Sequence, residues 1–219
     1  GEVCKTFDSP VQIRPAPQNM KNIIFDLGGV LFTNGTEKFG EILAKRYTKS
    51  AEEVSILLNT STIGNAYREG KATREMFWKE MQKELHLKEN IDDLENEWIT
   101  QYTLVDKTLQ IIRDLKSYGH KLYFLSDNVR ERVDRIDKLY KFLDYFDGGL
   151  FSHEVGVRKP NPQVYEKLLN KFKLQPSACI FIDDKESNLP PAEQLGIITL
   201  LFTSPEILRN DLKRLTLLE

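Results

Sequence analysis

Short apolar runs alternating with stretches of helical periodicity constrain this chain more than any other feature. Runs at 23–25, 121–125, 149–151, 179–182 and 197–201 are strand-sized and mostly rich in β-branched or aromatic residues. Between the later runs lie segments of helical spacing: Leu109, Ile112 and Leu115, the charged stretch 130–140, Val164 with Leu168 and Leu169, and Ala192 with Leu195. Asn161 and Pro162 open the third of these in cap-and-first-turn order, and Gly119 and Gly196 close two others. A last helix starts at Pro205. Strands separated by helices of this length favour a mostly parallel sheet covered on both faces. The expected fold is therefore α/β, a doubly wound, Rossmann-like sheet.

The alternation breaks once. From residue 37 to 103 no strand interrupts the pattern, and apolar residues recur at helical spacing: Phe39, Ile42, Leu43 and Tyr47, then Val54, Leu57 and Leu58, then Phe77, Met81 and Leu85, then Leu94, Trp98 and Tyr102. This segment reads as an α-helical cap inserted into a core formed by 21–36 and 104–219. Residues 1–20 carry three prolines with little periodicity and read as an extended leader. Basic and acidic residues number 31 and 33, so no overall field recruits nucleic acid or an anionic membrane. No apolar run approaches the roughly 20 residues needed to span a bilayer. A soluble, cytoplasmic protein is expected, with oligomeric state open between monomer and homodimer. Cys4 and Cys179 form no disulfide framework or zinc spacing, and His86, His120 and His153 are scattered.

Three strands end in residues of one chemical kind. Asp26 follows the first, Ser126 and Asp127 end the second, and Asp183 and Asp184 end the fourth. Parallel strands present these tips along one edge of the sheet, where open α/β sheets bind ligands. Gly28 and Gly29 bring the backbone close to whatever sits beyond Asp26. Carboxylates gathered there repel one another unless a cation holds them, and an all-oxygen set suits Mg²⁺ sharing a substrate phosphate. Lys159, in the loop 156–160, and the Ser126 hydroxyl would serve the remaining phosphate oxygens. Taken singly, each feature also has a structural reading: a turn for Asp26 and for Asp183 with Asp184, a helix cap for Ser126, a solvated charge for Lys159.

These residues together resemble the haloacid dehalogenase-like hydrolases, phosphatase type, with a helical cap inserted after the first motif. The first motif is similar to 25–31, Phe-Asp-Leu-Gly-Gly-Val-Leu; the second to Leu125-Ser126-Asp127-Asn128; the third to Lys159-Pro160; the fourth to 181–184 followed by Asn188. The resemblance implies that Asp26 attacks phosphorus and becomes an aspartyl phosphate. Ser126, with Asp127, Asn128 and Lys159, would bind the phosphate. Asp26, Asp183, Asp184 and the carbonyl of Gly28 would hold Mg²⁺, and Asn188 would steady the last acidic loop. A small phosphorylated metabolite, such as a sugar phosphate, is the expected substrate.

One position departs from the pattern. The family's usual first motif has a second aspartate two residues after the nucleophile, which protonates the leaving group and later activates water; here it is Gly28. General acid or base help is commonly worth about 10²- to 10⁴-fold. Either the leaving group is good, or another residue supplies the proton, with Glu37 and Asp127 the nearest choices, or the protein is a weakened phosphate-binding scaffold. A 2-haloacid dehalogenase also does without that aspartate, and Tyr165 fits that reading, but it needs no acidic pair such as Asp183 and Asp184. Substrate contacts in the cap are expected from Asn34, Tyr67 and Arg68, the last two on a loop spanning 64–70.

Overall fold

The computed structural model describes residues 20–219; the expected leader and Cys4 lie outside them. Five strands form one sheet: β1 (Asn22–Phe25), β2 (Lys121–Ser126), β3 (Gly148–Phe151), β4 (Cys179–Asp183) and β5 (Ile198–Leu201). Their order is β3-β2-β1-β4-β5 and every pairing is parallel. Period-two alternation sorts the central strands onto two cores. Ile23, Phe25, Leu122, Phe124, Ile180 and Ile182 face one hydrophobic cluster, while Ile24, Tyr123, Leu125, Cys179 and Phe181 face the other. The three central strands are thus apolar on both faces, which is why they read as continuous hydrophobic runs.

Between β1 and the second strand come α1 (Gly35–Arg46), α2 (Ala51–Asn59), α3 (Thr62–Arg68), α4 (Arg74–Leu85), α5 (Ile91–Thr100) and α6 (Asp106–Ser117). Local caps set most of these starts. Ser50 forms a capping box with Glu53, and the side chains of Ser61, Thr73 and Asn90 each accept a backbone N–H one or two residues into their helices. Helices α1, α4 and α5 meet on aromatic rings: Phe39 stacks on Trp98 at 4.8 Å, and Trp78 meets Trp98 edge-on at 6.0 Å. The two connections joining these helices to the sheet run side by side, with Phe32 bridged to Leu104 and Thr33 N–H donating to Thr103 O at 2.9 Å.

The remaining helices are α7 (Arg130–Tyr140), α8 (Ser152–Val155), α9 (Pro162–Phe172), α10 (Leu189–Gln194) and α11 (Pro205–Arg214). No helix among the described residues is long and apolar enough to cross a membrane. One expectation is corrected here. The stretch 64–70 is not a loop: residues up to Arg68 belong to α3, with only the turn after it open. Gly64 sits inside the helix, where a Cβ would lie 2.9 Å from Leu57 O, and the glycine lets α3 pack tightly against the end of α2.

Candidate active site

The site is built at the C-terminal ends of β1, β2 and β4. Asp26 continues the ladder beyond β1 through its N–H to Ile182 O at 2.8 Å, and its Oδ1 accepts the N–H of Leu27 at 2.7 Å. The chain then closes a tight turn in which Leu27 O accepts the N–H groups of Val30, Leu31 and Phe32. Gly29 has φ +84°, and a Cβ on it would lie 2.1 Å from Asp184 Oδ2. Only glycine lets this turn pass under the Asp184 carboxylate.

Lys159 is buried and uses its ammonium fully: Nζ donates to Leu125 O at 3.1 Å and reaches Asp183 Oδ2 at 2.6 Å and Asp26 Oδ1 at 3.0 Å. The other oxygen of Asp183 accepts Lys185 N–H at 2.8 Å and Asn188 Nδ2 at 2.9 Å. Asn188 is itself held from behind, its carbonyl accepting the Tyr165 hydroxyl at 2.7 Å. Tyr165 is accordingly a core residue, packed edge-on to Phe181. Every oxygen of Asp183 is therefore committed to protein donors. Asp184 differs, because its Oδ1 is buried and, among the described residues, has no hydrogen-bond partner.

Oxygens of Asp26, Asp183 and Asp184 lie within 4.8 Å of one another. Burial lifts Asp26 above the usual carboxylate range, against the pull of Lys159 and with the push of Asp183 and Asp184. Asp184 is raised by burial and by Asp183. Three acids crowd around an ammonium that pairs with only two of them, and the third, Asp184, keeps a buried oxygen without a partner among the described residues; this donor set fits a hard, oxygen-preferring cation.

In front of the acids lies a cavity of about 300 Å³ whose wall includes Asp26, Gly28, Ser126, Asn128 and Lys159. Asn34 and Arg68 line it as well. Asn34 precedes α1 without capping it through its side chain. Arg68 is buried and donates to Asp127 O at 3.2 Å, Thr36 Oγ at 3.4 Å and Asn59 Oδ1 at 2.6 Å. Burial beside Arg158 and Arg132 lowers its pKa to about 10.

Two side chains are turned away from the expected roles. Tyr67 is not on the cavity wall: it stacks on Phe77 at 4.6 Å, and its hydroxyl donates to Glu131 at 3.3 Å, because the helix turns it into the aromatic core. Asp127 lines the cavity, yet its carboxylate is occupied, with Oδ2 3.2 Å from Arg158 Nε and Oδ1 accepting Lys159 N–H at 3.2 Å. Asn128 Oδ1 accepts Val129 N–H and Arg132 at 3.0 Å each. Arg158 lines the cavity too, although in sequence only its place beside Lys159 marks it; it also donates to Asn59 O at 2.6 Å and Asn65 Oδ1 at 2.8 Å.

A family model described as haloacid dehalogenase-like hydrolase matches residues 20–196. The chain is 26% identical over 188 residues to a D-ribitol-5-phosphate phosphatase of Bacteroides thetaiotaomicron, covering 82% of this chain and 90% of that one. It is 32% identical over 112 residues to bifunctional epoxide hydrolase 2 of Mus musculus, covering 49% of this chain and only 20% of the length of that protein. Among solved structures, a haloacid dehalogenase family enzyme of Bacteroides thetaiotaomicron in complex with magnesium and inorganic phosphate superposes with TM-score 0.72 at 22% identity, over 84% of this chain and 95% of that one.

Proposed function

The chain belongs to the haloacid dehalogenase-like hydrolases, and on that premise we propose that it is a Mg²⁺-dependent phosphatase acting on a small phosphorylated metabolite through an aspartyl phosphate at Asp26. The observation that carries this reading is the cluster of three acids, two of them, Asp26 and Asp183, bridged by Lys159, with one buried oxygen of the third, Asp184, left without a partner among the described residues. Phosphatases among the similar proteins support it, including the D-ribitol-5-phosphate phosphatase.

Asp26, Asp184 and the carbonyl of Gly28 would hold the ion, with Asp183 behind them as the anchor of Lys159 and Asn188. When bound, Mg²⁺ supplies positive charge that draws the phosphate in and favours nucleophilic attack on it. Asp26 attacks phosphorus as a carboxylate, its P–O bond forming as the ester oxygen leaves. Ser126 donates its hydroxyl to a phosphoryl oxygen, and Lys159 keeps Asp26 in place while offsetting negative charge. Water then releases phosphate and restores Asp26.

Helices α1 to α5 act as the cap, with Asn34 and Arg68 contacting the leaving group. A cavity of about 300 Å³ is at the small end of ligand sites, which suits a sugar phosphate or a molecule of that size. The test is phosphate release from a panel of phosphorylated metabolites with and without Mg²⁺, sugar 1-phosphates set against 6-phosphates, with halide release from 2-chloropropionate as the contrasting arm. Asp26→Asn should abolish turnover and keep the fold. Mg²⁺-dependent turnover retained in that variant, or halide release without phosphate release in the wild type, would overturn the reading.

A further inference from the structure

We infer that Glu37, in the first turn of α1, is the proton-transfer residue that stands in for the side chain missing at Gly28. The inference rests on the phosphatase reading and adds a catalytic residue to it. Packing does not require the glycine: a Cβ on Gly28 would meet nothing within 4 Å, and its φ is outside the left-handed region. The space in front of Gly28 belongs to the cavity. A proton donor for the leaving group must therefore come from another part of the wall.

The wall holds three acids: Asp26, Glu37 and Asp127. Asp26 is the nucleophile. Asp127 has one oxygen on the Arg158 guanidinium and the other on the Lys159 N–H, so both are held by protein donors and the carboxylate is tied to the wall. Glu37 is exposed to the cavity and, among the described residues, makes no hydrogen bond or ion pair. Lys185 also lines the cavity, but an ammonium is a far weaker acid than a carboxyl group and so a poorer proton donor to a departing ester oxygen.

The backbone beneath Glu37 is pinned. Gly35 lies against Tyr102, where a Cβ would come within 2.5 Å of the ring, and Thr36 Oγ bonds the Tyr102 hydroxyl at 2.8 Å and accepts from Arg68 at 3.4 Å. The first turn of α1 is thus anchored at the cavity, and no partner among the described residues holds the Glu37 carboxylate elsewhere. In the first half-reaction its carboxyl proton passes to the ester oxygen as the P–O bond breaks. In the second, the resulting carboxylate takes a proton from water as the water oxygen bonds to phosphorus and Asp26 departs. The alcohol and phosphate leave, and Glu37 is protonated again.

The test compares wild type, Glu37→Gln and Glu37→Gln with Gly28→Asp, all loaded with Mg²⁺, on 4-nitrophenyl and 4-methylphenyl phosphate. These esters have similar shape and leaving groups of very different acidity. Glu37→Gln should lose about tenfold more kcat/KM on the methylphenyl ester than on the nitrophenyl ester, a fraction of the roughly 10²- to 10⁴-fold available to a positioned acid. Gly28→Asp should restore the difference, since its carboxyl enters open space. Equal losses on the two esters, no loss, or a loss that Gly28→Asp leaves unrestored would overturn the assignment. A wild type inert toward both esters would sink the phosphatase reading itself, and this inference with it. Glu37 is on the surface, so thermal unfolding should confirm that each variant is folded.

Discussion

Adjacent glycines in the turn after β1 should respond in opposite ways to the same one-carbon change. Gly29→Ala puts a Cβ 2.1 Å from Asp184 Oδ2, and at φ +84°. The left-handed backbone alone costs roughly 1–2 kcal/mol for a residue with a Cβ. The overlap adds to this, because ordinary contact begins at 3.4 Å and the carboxylate must retreat by more than an ångström. Mg²⁺ demands near-ideal geometry from its ligands, so a displacement of that size should weaken its binding by about tenfold or more, equivalent to about 1.4 kcal/mol. Gly28→Ala keeps its backbone carbonyl and fills open space, so its stability should stay within about 0.5 kcal/mol of wild type. Denaturant unfolding in chelator measures the backbone cost, and calorimetric Mg²⁺ titration measures the ligand displacement. A Gly29→Ala protein with wild-type stability and Mg²⁺ affinity would refute the claim that Asp184 rests over this turn.

Further tests separate the two neighbouring acids and the role of a buried imidazole. Asp183→Asn breaks a buried pair with Lys159 and should destabilise the metal-free protein by an amount toward the lower end of roughly 3–5 kcal/mol, since Asp26 remains as a partner for the ammonium. Asp184→Asn removes a charge that repels Asp183, so it should leave metal-free stability equal or higher while Mg²⁺ affinity falls; similar losses of stability in both variants would contradict their different hydrogen bonding. His120 accepts Lys21 N–H on Nδ1 and faces Leu217 O through Nε2, and burial lowers its pKa below 6.5 despite the Leu217 bond. The unfolded chain then binds the proton more readily, so stability is full above pH 6.5 and is lost as pH falls through that value toward the lower folded one. His120→Gln should flatten that acid limb in unfolding measured at a series of pH values, and an unchanged slope would assign the limb to other groups.

Much of this arrangement is written in local properties of the chain. Short continuous apolar runs within 22–25, 121–126 and 179–183 identify the central strands, buried on both faces, and the caps at Ser50, Thr73, Asn90 and Asn161 place helix starts within a residue or two. Parallel strands end on one edge, so Asp26, Ser126 and the pair at 183–184 could be gathered from sequence order alone. Local pattern fails at 64–70, which reads as a loop but is helical up to Arg68, and at Tyr67, expected as a substrate contact although its helix buries the ring against Phe77.

Only the tertiary structure separated Asp183 from Asp184, committed Asp127 to Arg158, and left Glu37 as the unpaired acid of the cavity wall. Those distinctions depend on partners 24 positions away for Lys159 with Asp183 and 31 for Arg158 with Asp127. A side chain's chemistry is set by its own type, and its periodicity by its near neighbours. Whether its oxygens are already bonded depends on which distant element packs beside it, and that is decided when the chain folds.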